Sequence, residues 1–133
     1  MGPLQNYDPT ENIVYVSHPE PALLETEDDV RAYFDDVRRY WLANVRQKAY
    51  YLIDWRGFEL NIRQSDVYGE CVKRVVQQCA ITIVRFGKNP LQRAVTRAVS
   101  VKQHLPSHVY DTQEEARAVI RGLKRGTIKL ART

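Results

Sequence analysis

Apolar residues along the chain recur in two rhythms, one short and continuous, the other spaced at three and four. Asn12-Ile13-Val14-Tyr15-Val16-Ser17 is β-branched and aromatic through its centre and predicts a strand. His18-Pro19-Glu20-Pro21 ends it, because two prolines in three positions cannot pair in a ladder. Thr26 then fits a helix N-cap, with Glu27, Asp28 and Asp29 placing negative charge on the first turn. Val30, Tyr33, Phe34, Val37, Trp41 and Val45 form the stripe of one long amphipathic helix. Ala49 to Trp55 is a near-continuous apolar run, the pattern of a strand buried on both faces. Gly57 breaks that run, and Phe58 to Arg63 reads as a loop or a short extended piece.

Ser65 or Asp66 is placed to cap a second helix with apolar positions Val67, Cys71, Val72, Val75 and Val76. Ala80 to Phe86 is the clearest strand pattern in the chain. Gly87-Lys88-Asn89-Pro90 turns it into a helix marked by Leu91, Ala94, Val95, Ala98 and Val99. Leu105-Pro106 stops that helix, and Ser107 to Tyr110 suffices for a brief strand. Thr112 to Glu115 fits a capping box, Ala116, Val119, Ile120 and Leu123 form a last helical stripe, and Gly126 is its C-cap.

Strand and helix alternate, so the expected fold class is α/β. The expectation is a single small, mostly parallel or mixed sheet of about four to five strands with covering helices. One domain would span 1–126, with 127–133 as a loose tail. The strand at Ile13 is expected antiparallel at an edge. Leu52, Ile53, Ile81, Ile83 and Val84 are expected to be nearly fully buried, flanked by Val37, Trp41, Val72, Val76, Val95 and Val119.

Composition agrees with a folded domain: 133 residues, 44% hydrophobic and 27% charged. No apolar run approaches the roughly 20 residues of a membrane span. The opening Met1 to Asp8 lacks the basic and apolar regions of a secretory signal. Two cysteines make no disulfide framework, so a reduced, cytoplasmic setting is expected.

Charge changes the picture more. Residues 1–36 hold nine acids and one base, a balance of −8, whereas the remainder holds nineteen bases and seven acids, a balance of +12. Such a split suits an acidic partner or contact between copies of the chain. Nucleic acid is disfavoured, because no basic run alternates with the aromatics of a stacking groove. Arg93 and Arg97, one turn apart with the same sign, form a candidate contact face for an acidic surface such as Glu27, Asp28 and Asp29.

Catalytic and metal patterns are weak. His104 and His108 flank Leu105-Pro106-Ser107, which leaves the helix, and Cys71 and Cys79 have seven residues between them rather than roughly two to four. No metal, cofactor or catalytic residue is assigned. Neither a Gly-x-Ser-x-Gly elbow nor a glycine-rich phosphate loop is present. The remaining candidate is a location, the carboxyl edge of the sheet, where Asp54, Arg56, Ser65, Lys88 and Asn89 would form a ligand or partner rim.

Tyr51-Leu52-Ile53-Asp54, Ala80-Ile81-Thr82-Ile83-Val84 and Val109-Tyr110-Asp111-Thr112-Gln113-Glu114-Glu115-Ala116 together resemble the STAS domain of bacterial anti-sigma-factor antagonists and its SpoIIAA-like relatives. The resemblance runs from Asn12 to Leu123 as an order of elements. It implies a regulatory protein-interaction module without catalysis of its own, acting on a protein partner or as a homodimer. It also implies a phosphorylated serine opening the second helix, a position that falls at Ser65. The family's serine-glycine stretch is replaced here by Gln64-Ser65-Asp66-Val67-Tyr68-Gly69. Distant relatives bind lipids, so a small apolar ligand is the alternative, and an unrecognised enzyme is the third choice.

Overall fold

The computed structural model describes residues 2–87 and 108–126. Seven strands and three helices follow one another in these segments. They are β1 (Leu4–Asp8), β2 (Ile13–Ser17), β3 (Ala22–Leu24), α1 (Glu27–Asn44), β4 (Ala49–Asp54), β5 (Phe58–Leu60), α2 (Ser65–Gln78), β6 (Ala80–Phe86), β7 (His108–Tyr110) and α3 (Gln113–Arg125). A 3-10 turn, Ile62–Gln64, leads into α2. The helix expected from Leu91, with Val95, His104 and the candidate residues Lys88, Asn89, Arg93 and Arg97, lies outside the described residues, as does 127–133.

The main sheet is mixed and five-stranded, in the order β1-β2-β4-β6-β7. All its neighbours pair in parallel except β1, which runs antiparallel to β2. This corrects the expectation for Ile13–Ser17, which is an interior strand; the antiparallel edge is Leu4–Asp8. Strand β1 carries little apolar periodicity. A turn in which the Asp8 carboxylate accepts from the amides of Thr10 and Glu11 folds it back onto β2.

From β2 to β7 the chain advances across the sheet in one direction. Crossovers of one hand then put successive helices on one face, and α1 and α2 share a core with Val14, Val16, Tyr51 and Ile83. Helix α3 follows the last strand and returns to the opposite face, over Ile13, Leu52, Val84 and Phe86. Strand β4 is therefore covered on both sides, as its continuous apolar run required.

Two core assignments change. Ile53 and Ile81 are half-buried, whereas Leu52, Ile83 and Val84 are buried. At Ile81 the cause is a bulge: Ala49 pairs with Ala80 but Tyr50 with Thr82, so Ile81 is an extra residue with no partner opposite. Trp41, Val76 and Val119 are likewise half-buried and pack on the core from its margin.

The helix ends follow their sequence signals. Thr26 Oγ1 accepts from the Asp29 amide, and the Asp29 carboxylate accepts in return from the Thr26 amide, at 3.1 and 3.0 Å. Thr26→Ala is expected to cost about 1 kcal/mol, checked by the shift of the urea midpoint at unchanged slope. Thr112 accepts from the Glu115 amide, and Gly126 ends α3 at φ 75°. Helix α2 differs: its N-cap is Gln64, without a side-chain capping bond. Ser65 is the first helical residue, and its hydroxyl donates backward to the Ile62 carbonyl. The cap expected at Ser65 or Asp66 is not formed because the 3-10 turn already brings the chain into helical geometry.

Strands β3 and β5 form a separate parallel pair beside the carboxyl edge. The Ala22 amide donates to the Gly57 carbonyl at 2.8 Å, and the Asn61 amide to Leu24 at 2.9 Å. This small ladder ties the approach to α1 to the approach to α2.

Candidate functional site

At the carboxyl edge, β4 ends in Asp54 and turns through Trp55, Arg56 and Gly57. Arg56 closes this turn on Asp54: its amide donates to Oδ1 at 3.0 Å, and its Nη2 to Oδ2 at 2.6 Å. Burial alone would raise the Asp54 carboxyl, but the hydrogen bonds and charge of Arg56 outweigh it and hold the group below its ordinary range. The expected rim residues Asp54 and Arg56 thus come together, spent on each other in a local lock. Gly57 is required here: it sits at φ 81°, and a Cβ would stand 2.8 Å from the His18 carbonyl oxygen. The order of the described strands from β2 to β7 also contains no reversal, so among them there is no switch point of the doubly wound kind.

Beneath the turn lies a buried polar cluster. His18, immediately after β2, places Nδ1 2.8 Å from the Asp54 carbonyl oxygen and Nε2 2.8 Å from the Tyr33 hydroxyl on α1. A carbonyl only accepts, so Nδ1 carries the proton, and in the neutral ring Tyr33 donates to Nε2. Burial lowers the His18 pKa below its ordinary 6.5, against the opposing pull of the Asp54 carbonyl and charge. Desolvation likewise raises the Tyr33 phenol.

A folded value below the unfolded one means that the unfolded chain takes the proton first. The His18 contribution to stability is therefore present above about pH 6.5 and lost as pH falls toward its folded value. Urea unfolding between pH 7.5 and about 5 should show wild-type stability falling on the acid side, with a shallower fall in His18→Gln. Equal slopes in the two proteins would remove His18 as the source.

Phe58 on β5 packs among the rings of His18, Tyr33, Trp55 and Tyr68, with centroids 5.5–6.1 Å away. Next to them stands Arg85 of β6, 3% exposed, with its guanidinium carbon 5.4 Å from the Trp55 ring centroid. Its Nε has no hydrogen-bond partner among the described residues. Among the described residues no carboxylate lies within ion-pairing distance of it. Arg85, Trp55, Phe58, Tyr33 and Tyr68 line a cavity of about 20 Å³.

On the outer side of the same layer, α1 and α2 enclose a groove of about 610 Å³. Its apolar lining is Phe34, Cys71, Val75 and Cys79, with Arg31 and Arg38 from α1 and Arg74 from α2. Both thiols are free and buried, and burial pushes Cys79 up to about 11, so at neutral pH they contribute apolar surface. Arg31 is paired with Glu27 at 2.9 Å, and Arg38 donates to the Gln78 side-chain oxygen at 3.2 Å. Among the described residues no carboxylate pairs with Arg38 or Arg74. Neither arginine is therefore in an ion pair among the described residues, while Asp35 shares the lining and Glu70 lies one turn before Arg74 on α2.

Sequence reasoning passed over His18, Tyr33 and Arg85. His18 reads as the end of a strand and Tyr33 as part of a helical stripe. Arg85 had a usable signal, a lone charge inside the run Ile81-Thr82-Ile83-Val84-Arg85-Phe86. The groove had none, since its arginines sit on the polar sides of two separate stripes. Among the described residues no three His, Cys, Asp or Glu side chains converge as a metal site, and no helix is long and apolar enough to cross a membrane.

Family models, curated proteins and solved structures yield no match to this chain. The functional reading rests on the geometry of these sites.

Proposed function

We propose that the domain is a non-catalytic, STAS-like regulatory module whose α1–α2 groove receives an acidic, apolar segment of a protein partner. The observation that supports this is the groove itself: an apolar floor of Phe34, Cys71, Val75 and Cys79 beside Arg38 and Arg74, neither of which is ion-paired to a carboxylate among the described residues. Its volume suits a few large side chains, and the arginines favour carboxylates flanking them. Ser65 opens α2 on the way to this groove, so a phosphate on its hydroxyl would meet the positive end of the helix dipole. A small apolar ligand or lipid is the weaker reading: the groove has the volume of a ligand pocket, but three arginines and Asp35 stand on its lining, and the apolar cavity under Trp55, about 20 Å³, is far below the roughly 300–1,000 Å³ of ligand pockets.

A helical peptide with leucines at i, i+3, i+4 and i+7 and glutamates between them is a suitable probe. Titrated into isotope-labelled protein, it should shift the resonances of Phe34, Arg38, Cys71 and Val75, with affinity falling as salt rises. Arg38→Glu with Arg74→Glu should weaken binding about tenfold. Shifts confined to other surfaces, or equal binding by the charge-reversed protein, overturn the proposal. A wild-type dimer that the same pair of substitutions dissociates would make a second copy of the chain the occupant.

A further inference from the structure

We infer that the cavity beneath Trp55 is a site for one small monovalent anion of chloride size, held on the Arg85 guanidinium. Arginine keeps its proton in proteins, so Arg85 brings a full positive charge into a core where it is 3% exposed. The Trp55 face, 5.4 Å away, attracts that charge but cannot hydrogen-bond the Nε proton, which has no partner among the described residues. Among the described residues no carboxylate pairs with the guanidinium, and Asp54, which ends the adjacent strand, is held by Arg56. A buried cation is retained when an anion or a set of acceptors meets it.

Size decides which anion. The cavity of about 20 Å³ exceeds the ~10–15 Å³ needed for one water-sized occupant but leaves no room for a polyatomic acid with an apolar tail. Beside Val16, Ile53 and Phe58 its walls include three tyrosines, of which Tyr33 is hydrogen-bonded to His18. Such walls suit a weakly hydrated monovalent ion better than a divalent one, whose desolvation grows with charge. A water molecule would satisfy the Nε proton and leave the charge uncompensated; it is the competing occupant.

The test compares sodium chloride with sodium gluconate at equal ionic strength, using urea unfolding of the full chain. Chloride bound to the folded state alone should raise the folding constant about tenfold per tenfold increase in concentration above its dissociation constant. Gluconate, too large for the cavity, should give no such gain. Arg85→Met, which keeps the length of the side chain and removes the charge, should respond identically to the two salts. Arg38→Glu with Arg74→Glu should keep the wild-type chloride response, because those arginines line the groove and not the cavity. Failure of groove binding and failure of the anion site are thus read separately. Equal response of the wild type to both salts overturns the inference and leaves water as the occupant. A chloride response that survives Arg85→Met also overturns it. Should Arg85→Met not fold, crystals of the wild type grown in sodium bromide decide: an anomalous peak beside Arg85 Nε supports the site, and its absence refutes it.

Discussion

Phe58→Ala is expected to destabilise the domain by about 3–5 kcal/mol. The ring is 3% exposed and contacts four others: His18, Tyr33, Tyr68 and the nearly parallel indole of Trp55, tilted by 4°. Truncation removes the transfer free energy of the ring and leaves a void that its neighbours cannot easily fill. His18 is held by hydrogen bonds at both nitrogens, and Trp55 is held through its amide to the Phe86 carbonyl at 2.8 Å. Strand β5 has only three residues, so little else anchors it. Urea unfolding measures the loss, and near-ultraviolet circular dichroism should weaken with it. A cost below about 1 kcal/mol would mean that the cluster closes over the gap, contrary to the close packing inferred for it.

Ile83→Ala should cost about 2–5 kcal/mol, and Ile81→Ala distinctly less. Both residues are isoleucines on β6, two positions apart, in the part of the strand that runs beside β4. Ile83 pairs with Tyr51 and is buried in the α1–α2 face of the core. Ile81 is the bulged residue, half-buried, so truncation there opens a smaller cavity and returns less apolar surface to water. The two variants unfolded side by side test the bulge directly. Equal losses would place Ile81 in regular pairing and remove it.

Both predictions bear on how the candidate sites are supported. Phe58 belongs to the shell around the Arg85 cavity, and so does Ile83. Phe34 and Val75 line both that cavity and the α1–α2 groove, making a shared wall between them. Variants that loosen the core there should therefore be judged for stability before any change in binding is interpreted.

Local signals in the chain sufficed where the decisive contacts lie within a turn or two. Thr26 and Thr112 cap their helices, Gly126 ends the last one, and the continuous run Ala49–Asp54 becomes a strand covered on both faces. Each outcome depends on backbone preference, on hydrogen bonds over three or four residues, or on the period of apolar positions, all of which a sequence displays directly. The α/β class with its mixed sheet follows from their order. Tertiary structure decided what joins distant segments. Ala22–Leu24 pairs with Phe58–Leu60, His18 bonds the Asp54 carbonyl 36 residues away, and Arg38 reaches Gln78 across 40. The polar run Leu4–Asp8 becomes a strand because β2 offers an unpaired edge, not because of its own pattern. Arg85 looks like a strand residue near a turn until Trp55, from another strand's end, comes to lie against it. These pairings are selected by register and packing among segments that have no mutual signature in the chain, and that is why the candidate sites emerge only in the folded molecule.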